Sequence, residues 1–346
     1  MFTHLHLPLA AMAYQSGAIE PILPIIDSDI VFYPGMGTHE TSQYLCDPTL
    51  PPPVYMSTST GLTENVKDST VLEYNLVCGL IYCSRRDWTK ACAAFERVVT
   101  YPTKEGGCSQ IMVDGFKKWN LVTLLSTGSP PAAMPHVTAP TIKTFYTLGK
   151  HYVDLATAFA SDDVQQLKRE AEEHAQLWLD DGNTTLVEEV LASYQKWRVL
   201  SLRDIYTKLS IPEIRRQTKS GETGQALATD EDVEALIQNM IIAGMLNGVI
   251  EKNDDGTKFL TFLPPSVQLS EHEFTQELNR TMGNIKGLGA LLTATNRRLG
   301  TSKEYIKWAV KEDKRDKSGE AHDPTLPFES QHIDDEDLMG GIVTSG

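Results

Sequence analysis

From residue 70 to about residue 200, apolar residues recur three and four positions apart in one block after another. Wound at 3.6 residues per turn, that spacing gives each block one apolar stripe, which suits neither an alternating strand nor a chain without a core. The blocks cover 74–84, 87–100, 112–125, 142–159 and 164–178, and a further one opens with Leu186, Val190, Tyr194 and Trp197. Between them stand residues that stop or start helices: Pro102, Gly128 with Pro130 and Pro131, Asp162 or Asp163 as a cap, and Gly182. Helices of this length on short links bury their stripes against one another. The segment therefore predicts a right-handed superhelix of stacked hairpins, each turn packing on its neighbours.

The first hairpin carries the sharpest signal. Gly79 and Tyr82 in one helix, Ala91 and Phe95 in the next, and Pro102 after them match the G-x-x-Y and A-x-x-x-F spacing of a tetratricopeptide-type repeat. The small residues let two helices approach, and the rings fill the space between. Asn75 and Cys78 depart from that pattern, which usually has Trp and Leu there.

The chain ahead of this is less regular. An apolar stretch at 5–14 predicts a helix ending at Gly17, like the open end of a superhelix with further turns before it. Pro34, Gly35, Gly37, Pro48, Pro51, Pro52 and Pro53 then break helices and central strands alike, so 33–69 reads as a long loop.

At about residue 194 the pattern changes. A helix over 194–207, a short one around 211–217 and a capped one over 230–245 precede two strand-like runs, 248–252 and 258–263, joined by Asn253-Asp254-Asp255-Gly256. Three helices and a β-hairpin in that order predict a winged helix. The polar loop 219–224 reads as a flexible insertion in it. Farther on, Phe274, Leu278, Met282, Ile285, Leu288, Leu292 and Leu299 form one stripe on a long helix or helix pair over 271–311. The tail 313–346 has nine acids against three bases, too little apolar surface to order itself. The expected organisation is an N-terminal helical remnant and Pro-rich loop (1–69), a helical-repeat superhelix (70–192), a winged helix (193–265), a C-terminal bundle helix (266–312) and an acidic disordered tail (313–346).

Charge and cysteines narrow the function. The 346 residues carry 31 Lys plus Arg against 46 Asp plus Glu, a net charge of −15, which disfavours a polyphosphate partner. The helix expected to enter a DNA groove lies within 229–250, which holds four acids and no Lys or Arg. Nucleic acid is not expected as a partner, although 193–220 has seven basic residues against two acidic ones and could form a docking patch. Five cysteines without a C-x-x-C pair read as reduced core residues, and no metal or cofactor is expected. No apolar run is long enough to span a bilayer and the N-terminus has no basic n-region, so the nucleus and cytoplasm are the expected compartments.

Candidate catalytic motifs fail on their surroundings. His4-Leu5-His6 has the H-x-H of metal-dependent isopeptidases, but no Glu precedes it and Gly17 stands where the Asp should be. Ser193 and Lys196 fit S-x-x-K without its companion motifs, and Gly287-Leu-Gly289 follows a helix rather than a strand.

The stretch Leu202-Arg203-Asp204-Ile205-Tyr206-Thr207-Lys208-Leu209-Ser210-Ile211-Pro212-Glu213-Ile214, the run Val233-Glu234-Ala235-Leu236-Ile237-Gln238-Asn239-Met240-Ile241 and the strand at 259–263 resemble the PCI-domain proteins. These are subunits of the proteasome lid, the COP9 signalosome and translation initiation factor three. Leu23-Pro24-Ile25-Ile26-Asp27, the stretch 74–82 with Trp88 to Ala91, and Gln110-Ile111-Met112 leading to Lys117-Lys118-Trp119 are similar to the signalosome's third-subunit branch. The resemblance implies a non-catalytic scaffold in a hetero-oligomer of PCI-domain and signalosome subunits, serving cullin deneddylation by another subunit and so touching cullin-RING ligases indirectly. A proteasome-lid subunit and an RNA-associated PCI protein are the alternatives. It also implies that Val249, Ile250, Phe259 and Phe262 belong to a wing that pairs or supports pairing, and that Phe274, Leu278, Ile285, Leu292 and Leu299 face a helical bundle.

Overall fold

The computed structural model describes residues 1–28, 30, 56, 60–102, 107–132, 134, 137–161, 163–253, 256–264, 271–301 and 303–318. Most of the expected loop 33–69, the turn residues Asp254 and Asp255, and 319–346 of the expected tail lie outside them.

Helix α1 (His6–Ser16) ends at Gly17, whose φ of 71° is left-handed backbone that costs glycine little. A 3-10 turn (Glu20–Ile22) and the short α2 (Leu23–Ile26) follow. Helices α3 (Asp68–Ser84) and α4 (Trp88–Val99) form the predicted hairpin, and α3 also packs on α1. The side chain of Asp87 accepts the Lys90 N–H at 3.2 Å to start α4. Ala91, Ala94 and Phe95 are wholly buried, and the Phe95 ring fills the space where a side chain at Gly79 would stand.

Helix α5 (Gln110–Thr127), capped by Ser109 at its start and Gly128 at its end, packs against α3 and α4. The block 142–159 expected as one helix is two, α6 (Ala139–Leu148) and α7 (Lys150–Ala160). They part at Gly149 because the Phe116 ring, stacked on Phe145 at 5.0 Å, occupies the corner: a Cβ there would lie 2.7 Å from it. The block 164–178 likewise divides at His174 into α8 (Val164–Glu173) and α9 (Ala175–Asp180), with Asp163 as the predicted cap. The Trp178 indole N–H bridges the break by donating to the Ala171 carbonyl at 2.9 Å.

Helix α10 (Thr184–Ser201) folds back on α5. Gly128 permits this return, since a Cβ on it would lie 2.4 Å from the Trp197 ring.

The expected boundary near residue 193 falls inside α10, so one helix serves two cores. Residues up to Tyr194 belong to the helical cluster, and Val199 onward to a second cluster with Ile211, Ile214, Val233, Ile237, Leu260 and Phe262. That second core is covered by α11 (Ile211–Gln217), α12 (Asp230–Ile242) and a three-stranded antiparallel sheet. Helix α12 opens with a capping box between Thr229 and Asp232 and stops three residues short of the expected 245. The sheet order is β1 (Lys208–Ser210), β3 (Lys258–Phe262), β2 (Gly248–Lys252). Leu209 and Ile250 both pair with Leu260. No strand is expected from the sequence at 208–210.

Loop 219–224, expected to be flexible, is tied down. Gln165 donates to the Gly224 carbonyl at 2.9 Å, and Gln195 donates to the buried Thr218 hydroxyl at 3.3 Å. Gly221 lies so close to the Leu191 carbonyl that a Cβ would be 2.5 Å from it.

A second compact unit, Gln268–Gly346, is distinct from Met1–Val267. Its described part is α13 (Glu271–Thr301) and α14 (Lys303–Ser318). Helix α14 extends six residues into the segment expected to be disordered, with the Tyr305 and Trp308 rings 5.5 Å apart on it.

Candidate interaction surfaces

The motifs with a catalytic look are consumed by structure. His6 Nδ1 accepts the Thr3 N–H at 3.1 Å, and its ring meets Phe2 at 5.0 Å and Tyr74 edge-on at 5.6 Å. His4 Nδ1 accepts the Glu64 N–H at 3.2 Å, tying the N-terminus to the segment before α3. The Ser193 hydroxyl donates to the Val190 carbonyl at 2.9 Å within α10. Among the described residues no group of three or more His, Cys, Asp or Glu could hold a metal ion, and no helix is long and apolar enough to cross a membrane.

Part of the basic stretch 193–220 stands against carboxylates. Lys208 meets Glu251 at 2.8 Å, Arg215 meets Asp230 at 3.3 Å, and Arg216 meets Glu213. The Arg215 guanidinium also donates to the Leu227 carbonyl at 2.7 Å, which fastens the loop ahead of α12. Lys208, Arg215 and Arg216 of the expected docking patch are thus engaged in local pairs.

Strand alternation divides the four wing residues. Ile250 and Phe262 turn to the core with Leu260, whereas Val249 and Phe259 share the other face with Lys208, Glu251 and Thr261. Val249 is 47% exposed, and the Lys208 ammonium stands 5.3 Å over the Phe259 ring. Of the four, Val249 and Phe259 lie on the outer face, Ile250 is partly buried against the core, and Phe262 is buried. Strand β2 is an edge of this sheet, paired on one side with β3. On α13 all five stripe residues are accessible, from 48% for Leu278 and Leu299 to 63% for Ile285, and Met282 and Leu288 extend the same stripe.

A polar network inside the superhelix was not legible beforehand. Lys117 Nζ lies 2.8 Å from both Asp181 oxygens, and the Tyr152 hydroxyl donates to Asp181 at 2.7 Å. Asn183 donates to the Tyr152 oxygen at 2.7 Å, and Lys118 donates to Asn183. Burial pulls the Lys118 pKa down and pushes the Tyr152 phenol up. Each group finds its partner within the network, which locks α5 and α7 to the α9–α10 corner and leaves no poised nucleophile. Lys117-Lys118-Trp119 stood out in sequence, but Asp181 and Asn183 look there like an ordinary helix end.

Asp27 has a similar structural task. Its carboxylate accepts the Tyr82 hydroxyl at 2.7 Å and Lys90 Nζ at 3.0 Å, fastening the segment after α2 to the first hairpin. Burial works to raise its pKa, but these two bonds together with the charges of Lys90 and Arg85 outweigh it and hold the carboxyl below 3.8.

Residues 52–142 match the family described as COP9 signalosome complex subunit 3, N-terminal helical repeats. The chain is 41% identical over 351 residues to a Neurospora crassa protein named COP9 signalosome complex subunit 3, covering 99% of this chain and 70% of that one. Proteins of the same name in Emericella nidulans and Dictyostelium discoideum are 27% identical over 98% of the chain and 25% identical over 70% of it, spanning 69% and 54% of their own lengths. With a relative this similar matched along nearly its whole length, the chain belongs to the COP9 signalosome subunit 3 family.

Proposed function

We propose that this chain is a non-catalytic scaffold subunit of the COP9 signalosome, helping to hold together a complex in which another subunit deneddylates cullins. The likeness to the Neurospora protein across 99% of the chain carries this assignment. Residues 193–265 are then a PCI-type winged helix: a helix, a short strand, two helices and a two-stranded hairpin follow in that order, on their own apolar core. Residues 70–192 are the repeat array, and 266–312 the bundle helix. Its partners are other PCI-domain and signalosome subunits, with cullin-RING ligases reached indirectly, in the nucleus and cytoplasm.

The accessible stripe on α13 supports an assembly role. Five large apolar side chains, each contributing about 1.5–3 kcal/mol when fully buried, give on the order of 10 kcal/mol of gross driving force for joining partner helices. The paired arginines of 193–220 and the acidic start of α12 favour a protein partner over RNA. The test deletes 271–312, or introduces Ile285→Asp and Leu292→Asp, and follows co-purification of partner subunits together with circular dichroism of the chain alone. The expected outcome is a folded 1–264 that no longer co-purifies, because each Asp would bury an unpaired carboxylate in an apolar bundle. Normal co-purification by a folded variant would remove the stripe as an assembly surface.

A further inference from the structure

Between α11 and α12, residues 220–225 close on themselves. The Ser220 N–H donates to the Gln225 carbonyl and the Gly224 N–H to the Ser220 carbonyl, each at 2.9 Å. The Ser220 hydroxyl accepts the Glu222 N–H and the Thr223 hydroxyl accepts the Gln225 N–H, each at 3.3 Å. These bonds satisfy backbone groups locally. They make a compact knot of Ser-Gly-Glu-Thr-Gly-Gln, a sequence with no large apolar side chain to pack.

The knot is seated on the superhelix by its two glycines, the only buried residues of the six. Gly221 faces α10, where a Cβ would lie 2.5 Å from the Leu191 carbonyl oxygen and 3.0 Å from the Tyr194 Cβ. Gly224, with a φ of 72°, faces α8: the Gln165 amide nitrogen would lie 2.7 Å from a Cβ there, and it donates to the Gly224 carbonyl at 2.9 Å. A helix carbonyl cannot swing aside as the end of a glutamine can, so Gly221 is the tighter seat. The root of the knot is fixed as well. Thr218 is 1% exposed, accepts from Gln195 at 3.3 Å and donates to the Ile214 carbonyl of α11 at 2.8 Å. The Tyr194 hydroxyl donates to the Ser161 carbonyl at 3.3 Å, bracing this part of α10 against the end of α7.

We propose that the knot 220–225 is a clasp that sets the angle between the superhelix and the sheet unit. The two have separate apolar cores, and α10 passes from one to the other between Tyr194 and Val199. A helix that spans two cores is free to bend where a local bond yields. The knot belongs to the sheet unit but reaches back to α8 and α10, which removes that freedom. Buried polar contacts such as Gln195 with Thr218 suit the task, because they are satisfied in one geometry only. With the clasp open, both cores stay folded and the sheet unit turns about α10. The clasp lies within residues 1–267 and does not depend on the stripe of α13 or on the signalosome assignment.

The test reads angle and opening on the full chain. Spin labels on keto amino acids at positions 173 and 252, exposed on α8 and β2, give a distance between the two parts by double electron–electron resonance. The parent chain should show one narrow distance. Gly221→Ala, whose methyl meets a helix carbonyl, should shift or broaden it, and Gln165→Ala should do so to a smaller extent. Trypsin reads the clasp itself, because cutting after Lys219 requires several residues to leave it. That cut should be about tenfold faster in Gly221→Ala than in the parent, following the larger open population. Glu222→Ala, an exposed side chain on the same knot, should change neither readout. An unchanged narrow distance in Gly221→Ala, no faster cutting after Lys219, or the same response from Glu222→Ala would each overturn the proposal. Loss of the helical circular dichroism signal in both Gly221→Ala and Gln165→Ala would overturn it too, since the knot would then hold a core together rather than set an angle.

Discussion

Gly79→Ala should destabilise the first hairpin, although the same change in most helices strengthens them. Gly79 lies inside α3, where alanine is ordinarily favoured over glycine by about 1 kcal/mol. A Cβ there, however, would lie 2.4, 2.6 and 2.8 Å from three carbons of the Phe95 ring. Comfortable carbon–carbon contacts are about 3.5–4 Å, so the ring must retreat by about 1 Å. It has little room to do so. Phe95 is 0% exposed, as are Ile81, Ala94 and Val98 in the same cluster. Overpacking of this kind costs about 1–3 kcal/mol, and three simultaneous clashes place it toward the upper end. Subtracting the helical gain leaves a net loss of about 1–2 kcal/mol. Urea unfolding followed by circular dichroism measures it, with Gly283→Ala in α13 as the control. No atom lies within 4 Å of a Cβ at Gly283, so that change should raise helix stability. Phe95→Leu removes the offending ring, so the Gly79→Ala penalty should largely vanish in the double variant, a coupling of about 1–2 kcal/mol. An unchanged or raised midpoint for Gly79→Ala would refute the close approach of α3 and α4.

Phe262→Ala should cost about 3 kcal/mol of stability because the side chain belongs to the second core, whereas Phe259→Ala on the outer sheet face should cost far less; equal melting temperatures for the two would contradict the strand register. Asp27 titrates below its unfolded value of 3.8, so its stabilisation is present above that pH and is lost as the pH falls through the lower folded value. Asp27→Asn should therefore flatten the acid unfolding profile below about pH 4, and a profile parallel to that of the parent chain would show that the bonds from Tyr82 and Lys90 contribute nothing. Cys78, whose thiol is pushed up to about 12 by burial, should resist iodoacetamide at pH 8 in the folded chain and react in urea; labelling at equal rates in both, read by mass spectrometry, would contradict its packing.

The sequence by itself determined what depends on residues close along the chain. Three-and-four spacing placed the long helices, Gly17, Gly128 and Gly182 ended them, and Asp87 and Asp163 capped them, because backbone hydrogen bonds and caps link residues within about four positions. The hairpin signature named Gly79 and Phe95 as a contact, since that pairing is written into the repeat spacing. The stripe on 271–299 was equally plain, as a helical face is a local property. Tertiary structure alone decided the rest. The break at Gly149 depends on which ring stands opposite, and nothing in 142–178 records that Phe116 fills the corner. Strand β1 is three residues that pair only because β3 arrives 50 residues later, so its own sequence carries no alternation to detect. The bonds of Lys117 to Asp181 and of Arg86 to Glu189 join residues 64 and 103 apart, brought together by the return of α10 onto α5. That return follows from complementary shape, the Trp197 ring filling the place left by the missing side chain of Gly128, and such complementarity exists only once both helices have folded.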